Sequence, residues 1–496
     1  MSENEKPPKG DGMEQLFGAK RPVISASRFA KLNKLILRDL NNNPKAPTFN
    51  RYSKDEIMTY LENPYAYEKN LRDAVVYMYG ASSHFRRLIQ YFVGLSDLSY
   101  VISPYRVDTQ NANTEKLRKN YLRTLNFMNS MNIKDQGTNI LTVCLREDTY
   151  YATTWITNDD ITIQQLPPTY CKISTIEGGV LNVTFNFSYF DQNKNLLEYY
   201  PQEFSRKYDI YKNKGTKFKW QELDSPNSFA IKCNKDILDY SLPPFAGILT
   251  NLYEIEDYKL LKLTKTELEN YALLVMRLGM DKNGDWAMDF TKARQFWENL
   301  DSVLPEEVGS VLTPMPIEKI SFDEAGTSKT DKVSESEDHL MSAAGVSSQI
   351  FSSKNTSSSN SMLLSIKADQ AITFGIVKSI ESAINRILQS QSWSRDFRVT
   401  FLDCSPFNRT ELAKIYREGA MYGLPTVSLY CAAIGIGQSE MDTLNFLEDE
   451  VLGIKGRFTP LQSSATLSGD EGGRPEKDVG DISDEGEKSK ESNTNR

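Results

Sequence analysis

Histidine is the first residue type to consult for chemistry, and the 496-residue chain has only two, His84 and His339. Neither has a second histidine at metal-ligand spacing, and no HExxH or HxH occurs. Zinc hydrolysis and histidine-based triads therefore lack their donors. No GxxxxGK[ST] occurs either, which removes the phosphate cradle of a P-loop motor. Paired carboxylates remain, Asp159/Asp160 and Glu306/Glu307. A carboxylate-based hydrolase or nuclease would need such a pair in a cleft that drives the two pKa values apart. Both pairs stand instead in a turn or an acidic stretch, where neighbouring carboxylates are ordinarily solvated charge. The five cysteines (Cys144, Cys171, Cys233, Cys404 and Cys431) form no CxxC and read as reduced, mostly buried thiols of a cytosolic chain. The expectation is no enzyme, no cofactor and no metal.

Other candidate groups are cationic, hydroxylic or aromatic. The stretch 346–361 is rich in serine and includes Ser352, Ser353, Lys354, Asn355 and Thr356. It reads either as a domain linker or, because helical patterns flank it directly, as a loop with a function. Trp286 and Trp297 stand in a short acidic stretch, either as a docking surface or as the core of a small module. Residues 20–38 hold six bases and no acid. That basic face suits a nucleic-acid or membrane-surface contact, or simply solvent.

Charge bounds the partners. The formal net charge is −8; residues 281–346 hold fourteen acids and six bases, and residues 463–496 nine acids and five bases. Non-specific DNA binding draws on phosphate neutralisation, so most of this surface should not grip DNA. No run approaches the roughly 20 apolar residues of a membrane span, and the N-terminal dozen has no apolar signal core.

The elements that must position these groups follow from hydrophobic period. Residues 1–24 read as a flexible arm, and Phe29, Leu32, Ile36 and Leu40 predict a helix. Residues 54–98 predict two helices and 114–132 another. From about 138 the period changes to two, through NILTVCLRED, TYYATTWI, DITIQQLP, YCKISTIEGGVLNVTFNFSYF and KFKWQEL, an antiparallel strand run with turns at Asp159-Asp160 and Gly178-Gly179. SLPPF stops the strands and a long helix follows from about Asn251 to Leu278. GSVLTPMPI is strand-like, and a helix polar nearly all round spans about 328–344. A third long helix, 361–389, carries Ile366, Ile372, Ile376, Ile380, Ile384 and Ile387 as an apolar stripe. Strand FRVTFLDC and helices near 409–422, 426–435 and 439–451 end the ordered pattern, with Gly423 and Gly435 as C-terminal caps. The residues after Gly453 read as disordered.

In this order the chain resembles the portal (head–tail connector) proteins of tailed double-stranded DNA bacteriophages. The residues that carry the likeness are SLPPFAGI turning into a long helix; DKVSESEDHLMSAAGVSSQIFSSKNTSSSNSMLLSIKADQAITFGIVKSIESAINRIL; and FRVTFLDCSPFNRTELAKIYREGAMYGLPTVSLYCAAIGIGQSEMDTLNFLEDE. LPPTYCKISTIEGGVLNVTFNFSYF is similar to the β layer of portals from phages of Gram-positive hosts. The likeness spans roughly residues 50–455, and its specificity lies in order and spacing, since no single motif is catalytic. Many relatives carry a glycine near the end of the loop where this chain has SSSNS.

The resemblance implies an α+β portal fold and a ring homo-oligomer, typically a dodecamer, at one capsid vertex. It implies an N-terminal arm (1–49), a wing (50–250 and 361–408), paired stem helices (251–280 and 326–346) and a clip (281–325). A tunnel loop (347–360), a crown (409–455) and an acidic tail (456–496) complete the anatomy. Ser352 to Thr356, with Lys354, would line the DNA channel; Lys259, Lys262 and Lys265 of the stem would add sparse, weak contacts. Trp286, Trp297, Glu306 and Glu307 would dock the packaging motor (terminase) and later neck or tail adaptor proteins. Major capsid or scaffolding protein would be a further partner, with assembly in the host cytoplasm and no membrane. The alternatives are another virion shell or adaptor protein, or a carboxylate-based hydrolase.

Overall fold

The computed structural model describes residues 51–157, 160–270, 272–277, 292, 295, 296, 299, 308–313, 332–347, 350, 351 and 359–454. Three helices open it: α1 (Lys54–Glu62), α2 (Glu68–Ala81) and α3 (Ser83–Val93). Ser53 and Glu56 close a reciprocal capping box at the start of α1. The two helices expected over 54–98 are thus three. The second breaks at Ser82, whose backbone is extended and whose hydroxyl accepts from the Phe85 amide at 3.3 Å. Strand β1 (Tyr100–Pro104) follows, then α4 (Thr114–Met131) and α5 (Ile133–Glu147), joined at Asn132 in the left-handed region.

Helix α5 corrects the reading of NILTVCLRED as a strand. Ile140, Leu141, Cys144 and Leu145 are all buried, and their spacing of one, three and one lays them on one helical face. The strand run begins ten residues later. It comprises β2 (Thr149–Ile156), β3 (Ile161–Gln165), β4 (Cys171–Glu177), β5 (Val180–Asn186), β6 (Trp220–Glu222) and β7 (Ser228–Lys232). Helix α6 (Gln202–Lys214), absent from the sequence reading, lies between β5 and β6. The sheet order is β3-β2-β7-β5-β4, with β6 also on β5, and every pairing is antiparallel. Strand β7 also escaped the reading. It sits between β2 and β5 with all five residues buried, so it shows no alternation to find.

The sheet has two buried faces. Tyr150, Ala152, Phe229 and Ile231 join a large core shared with α1–α5, while Tyr151, Val183, Phe185 and Ala230 join a smaller aromatic core with α6.

Beyond the sheet come α7 (Leu249–Asn270), β8 (Ala272–Arg277), β9 (Val308–Thr313), α8 (Lys332–Ala343) and the 32-residue α9 (Ser359–Ser390). The helix expected to reach Leu278 stops at Asn270, because ALLVMR pairs in parallel with Val308–Thr313. A consecutive apolar run suits either state, and here a strand partner decides it. Strand β10 (Phe397–Phe401) pairs antiparallel with β1, and α10 (Arg409–Met421) and α11 (Val427–Ala433) follow. Gly423 and Gly435 take φ of 82° and 98°, and the Ile436 amide closes back on the Cys431 carbonyl at 2.8 Å. The fold class is α+β, with antiparallel sheets apart from the β8–β9 pair. The described residues up to Gln438 form one compact unit and those from Ser439 to Ile454 a second. In the latter, the rest of helix Gln438–Phe446 runs into a π-helical turn over Leu447–Val451.

Candidate functional site

The candidate site is the pair of helices α7 and α8, which pack side by side although residues 271–331 separate them in sequence. Pro243 and Pro244 end the preceding segment, and a 3₁₀ turn at Ala246–Ile248 launches α7. Leu252 and Ile255 of α7, with Leu340 and Met341 of α8, fasten this end of the pair into the large core. Across the pair, Asn251 Nδ2 lies 3.5 Å from His339 Nδ1. Other polar contacts tie α7 to the start of α1: Lys54 pairs with Glu254 at 3.1 Å, and the Tyr253 hydroxyl donates to the Tyr52 carbonyl at 2.5 Å. His84 Nε2 stands 3.6 Å from Glu337 Oε1, so one histidine flanks α8 while the other, His339, belongs to it. Leu340 and Met341, both in its last turn, are the buried residues of α8, and the rest of the helix is exposed or half-buried.

A buried ion pair holds the turn into α7. Lys232 and Asp148 have side chains with no solvent exposure, and Lys232 Nζ donates to Asp148 Oδ2 and to the Tyr240 carbonyl, the latter at 2.9 Å. Asp148 also accepts from the amides of Asn234 (2.8 Å) and Leu242 (3.0 Å). Burial pushes its carboxyl upward, against the pull of Lys232 and both amides. The end of α5, strand β7 and the SLPPF turn are thereby tied at one point. A buried pair of this kind specifies geometry more than it stabilises.

Helix α9 runs along the large core, burying Ile366, Ile376, Ile380, Ile384 and Ile387. Ile372, expected in that stripe, is instead 45% exposed, and Leu363 (43%) and Leu364 (69%) are uncovered as well. Polar side chains fix its register. Asn385 exchanges two hydrogen bonds with the Val399 backbone (2.8 and 2.9 Å), and Arg386 Nη1 donates to Asn182 Oδ1 at 2.6 Å. Asp369 accepts from the Tyr91 hydroxyl at 2.8 Å, and burial pushes both groups' pKa values upward. Phe351 packs edge-on against Tyr91, anchoring the near end of the serine-rich segment. On α10, α11 and the turn between them, Ile415, Met421, Tyr422, Leu424 and Val427 are more than half exposed, Tyr422 at 86%.

No family model and no curated protein matches the chain. Among the solved structures similar to it are two at 10% sequence identity each. One is the neck of an empty gene transfer agent particle computed with C6 symmetry, with a TM-score of 0.41 over 78% of this chain and 98% of that one. The other is the virion of a native gene transfer agent particle, with a TM-score of 0.36 over 81% of this chain and 98% of that one.

Among the residues singled out from sequence, Lys259, Lys262 and Lys265 lie on α7, and Lys259 pairs with Glu256 at 3.0 Å. Ser352, Ser353, Lys354, Asn355, Thr356, Trp286, Trp297, Glu306, Glu307 and Asp159 lie outside the described residues, as do the N-terminal arm and the acidic tail. Asp160 is exposed in the β2–β3 turn. All five cysteines are free, and burial raises Cys233 to about 12 and Cys404 to about 11, leaving them protonated and unreactive at neutral pH. Among the described residues no group of three or more His, Cys, Asp or Glu could hold a metal ion, and no helix is long and apolar enough to cross a membrane. Sequence reasoning missed the Asp148–Lys232 pair. Its one signal was a lysine closing the apolar run SFAIK.

Proposed function

We propose that the chain is the subunit of a ring-shaped portal, a non-enzymatic conduit for double-stranded DNA at one capsid vertex. The observation that carries this reading is the α7–α8 pair, anchored at one end in the core and carrying residues 271–331 between its two helices. Helix α8 buries little on its own subunit and needs neighbours. A ring supplies them: one side of the pair packs on adjacent subunits and another lines a wet channel. The uncovered residues of α9, α10 and α11 call for the same neighbours.

In this reading residues 281–325 form the clip that meets the packaging motor and neck proteins, with Trp286, Trp297, Glu306 and Glu307 on its docking surface. Residues 347–360 form the tunnel loop. The net acid of residues 281–346 suits a conduit, because each fixed cation along the wall would add a well to the path of a sliding phosphate chain. Lys354 and the serine hydroxyls then touch phosphate weakly and reversibly.

Particle mass and negative-stain images of the purified protein at micromolar concentration test the proposal. A wide ring with a central hole is expected. A stable monomer overturns it, and open shells or flat sheets favour a different virion shell or adaptor protein.

A further inference from the structure

A second cationic feature stands away from the helix pair, at the end of the sheet that carries the aromatic core. From Ile210 to Gln221 the chain has four lysines and no acid, and residues 212–219 are exposed without interruption. Gly215, with φ of 86°, turns the chain at the end of α6, so four exposed lysines flank a single tight turn. Lys214 Nζ lies 5.4 Å from the centroid of the Phe218 ring. Strand β4 contributes one more cation, Lys172, whose Nζ lies 5.0 Å from the centroid of the Trp220 ring. Lys172 pairs with Thr184 and Trp220 with Asn186, on the face of β5 opposite Phe185 and the aromatic core.

Two acids beside this surface, Asp191 and Asp224, are already paired with cations outside it. Asp191 accepts from Lys212 at 2.5 Å and from Tyr211 at 2.9 Å, and Glu222 accepts from the hydroxyls of Ser174 and Thr175. Asp224 holds Arg206 and Lys207. Lys172, Lys214, Lys217 and Lys219 form no ion pair among the described residues. Glu222 keeps its charge beside them, so on a chain of net charge −8 the four lysines leave a concentrated net positive patch. Two of the ammonium groups rest over aromatic rings, which positions them before any ligand arrives. The same contacts occupy those ring faces, so unpaired bases have little to stack on. Phe218 is the large apolar side chain exposed here, too little for the apolar anchor of a protein partner.

We propose that Lys172, Lys214, Lys217 and Lys219 form a phosphate-binding surface for duplex DNA, separate from the helix pair and indifferent to base sequence. One subunit carries the whole surface, so the proposal does not rest on the ring.

Fluorescence anisotropy of a short labelled DNA duplex, titrated with the full-length protein over a range of salt concentrations, tests it. Wild type should bind at low salt, with log K falling against log salt at a slope of roughly −3 to −4, as expected for three to four phosphate contacts. The triple variant K214E/K217E/K219E should bind at least about tenfold more weakly, with a slope shallower by about three. K214Q/K217Q/K219Q should follow in the same direction, less strongly. Particle mass and thermal midpoint should stay at wild-type values, because all three side chains are exposed. Equal affinity and slope in wild type and variant would overturn the proposal and place any DNA contact elsewhere, the channel included. Absence of wild-type binding at low salt would overturn it as well. So would poly-glutamate binding more tightly than duplex, which would make the patch a dock for an acidic protein. A monomer that binds DNA through these lysines would sink the ring alone.

Discussion

The two hydrophobic cores on either side of the six-stranded sheet are built by opposite strategies. The large core gathers residues from Ile57 to Phe401 and is dominated by aliphatic side chains on helices. The aromatic core draws on residues between Tyr151 and Ala230 alone, with Phe185, Phe187, Phe190, Phe204, Tyr200 and Tyr208 in edge-on or tilted contact. The first closes long loops and depends on the whole unit; the second closes short ones and belongs to one segment. Their functions divide in the same way. The large core anchors the helix pair and α9, the elements proposed to meet other subunits. The aromatic core carries an outer surface of paired acids and unpaired lysines. A molecule that must hold a precise pair of helices has to draw on many segments, whereas a presented surface needs only a local support.

The sharpest way to break this comparison is at the Asp148–Lys232 pair, where the two strategies meet. Lys232→Met should cost about 3–5 kcal/mol, because it leaves a buried carboxylate without its cation. Replacing both residues by apolar ones should cost clearly less. Asp148 can relieve part of the single-variant loss by taking up a proton. The deficit measured by denaturant unfolding should therefore shrink as pH falls and grow as pH rises. A pH-independent loss would show that the carboxylate is not the cause. Hydrogen exchange should rise around Tyr240–Leu242 and the start of α7, while the aromatic core stays protected.

Phe204→Ala tests the other side. Phe204 has no solvent exposure and touches the rings of Phe185, Phe187 and Tyr200. The expected loss is about 3 kcal/mol, the low end for a buried phenylalanine, because a small cluster can partly collapse. Exchange should rise in β4–β6 and α6 while α9 keeps its protection. Equal loss of protection in α9 would mean that the two cores are one cooperative unit.

The smallest effect belongs to the surface of the aromatic segment. A hydrogen bond from Lys212, followed by those from Tyr211 and Tyr208, holds the Asp191 carboxyl below the usual carboxylate range. A lowered folded-state pKa adds stability that is complete above the unfolded value of about 3.9 and is lost as pH falls through the folded value. The difference in thermal midpoint between wild type and Asp191→Asn should be constant near neutrality and vanish in acid. A difference that persists below both values would assign the effect to packing.

Local physics made part of this molecule legible. The aromatic and β-branched density of TYYATTWI, the alternation in DITIQQLP, the stripe of isoleucines along α9 and the glycine caps at Gly423 and Gly435 follow from propensity, sterics and burial period over a few residues. The tertiary structure alone decided the rest. Residues 139–147 are helical because their neighbours cover one helical face, and 272–277 are extended because Val308–Thr313 lies beside them. Strand β7 is central, Ile372 uncovered and Lys232 buried for the same reason. An apolar run states that burial is needed. Which faces are buried, and which charge meets its partner there, depends on segments tens to hundreds of residues away, and no local period records their arrival.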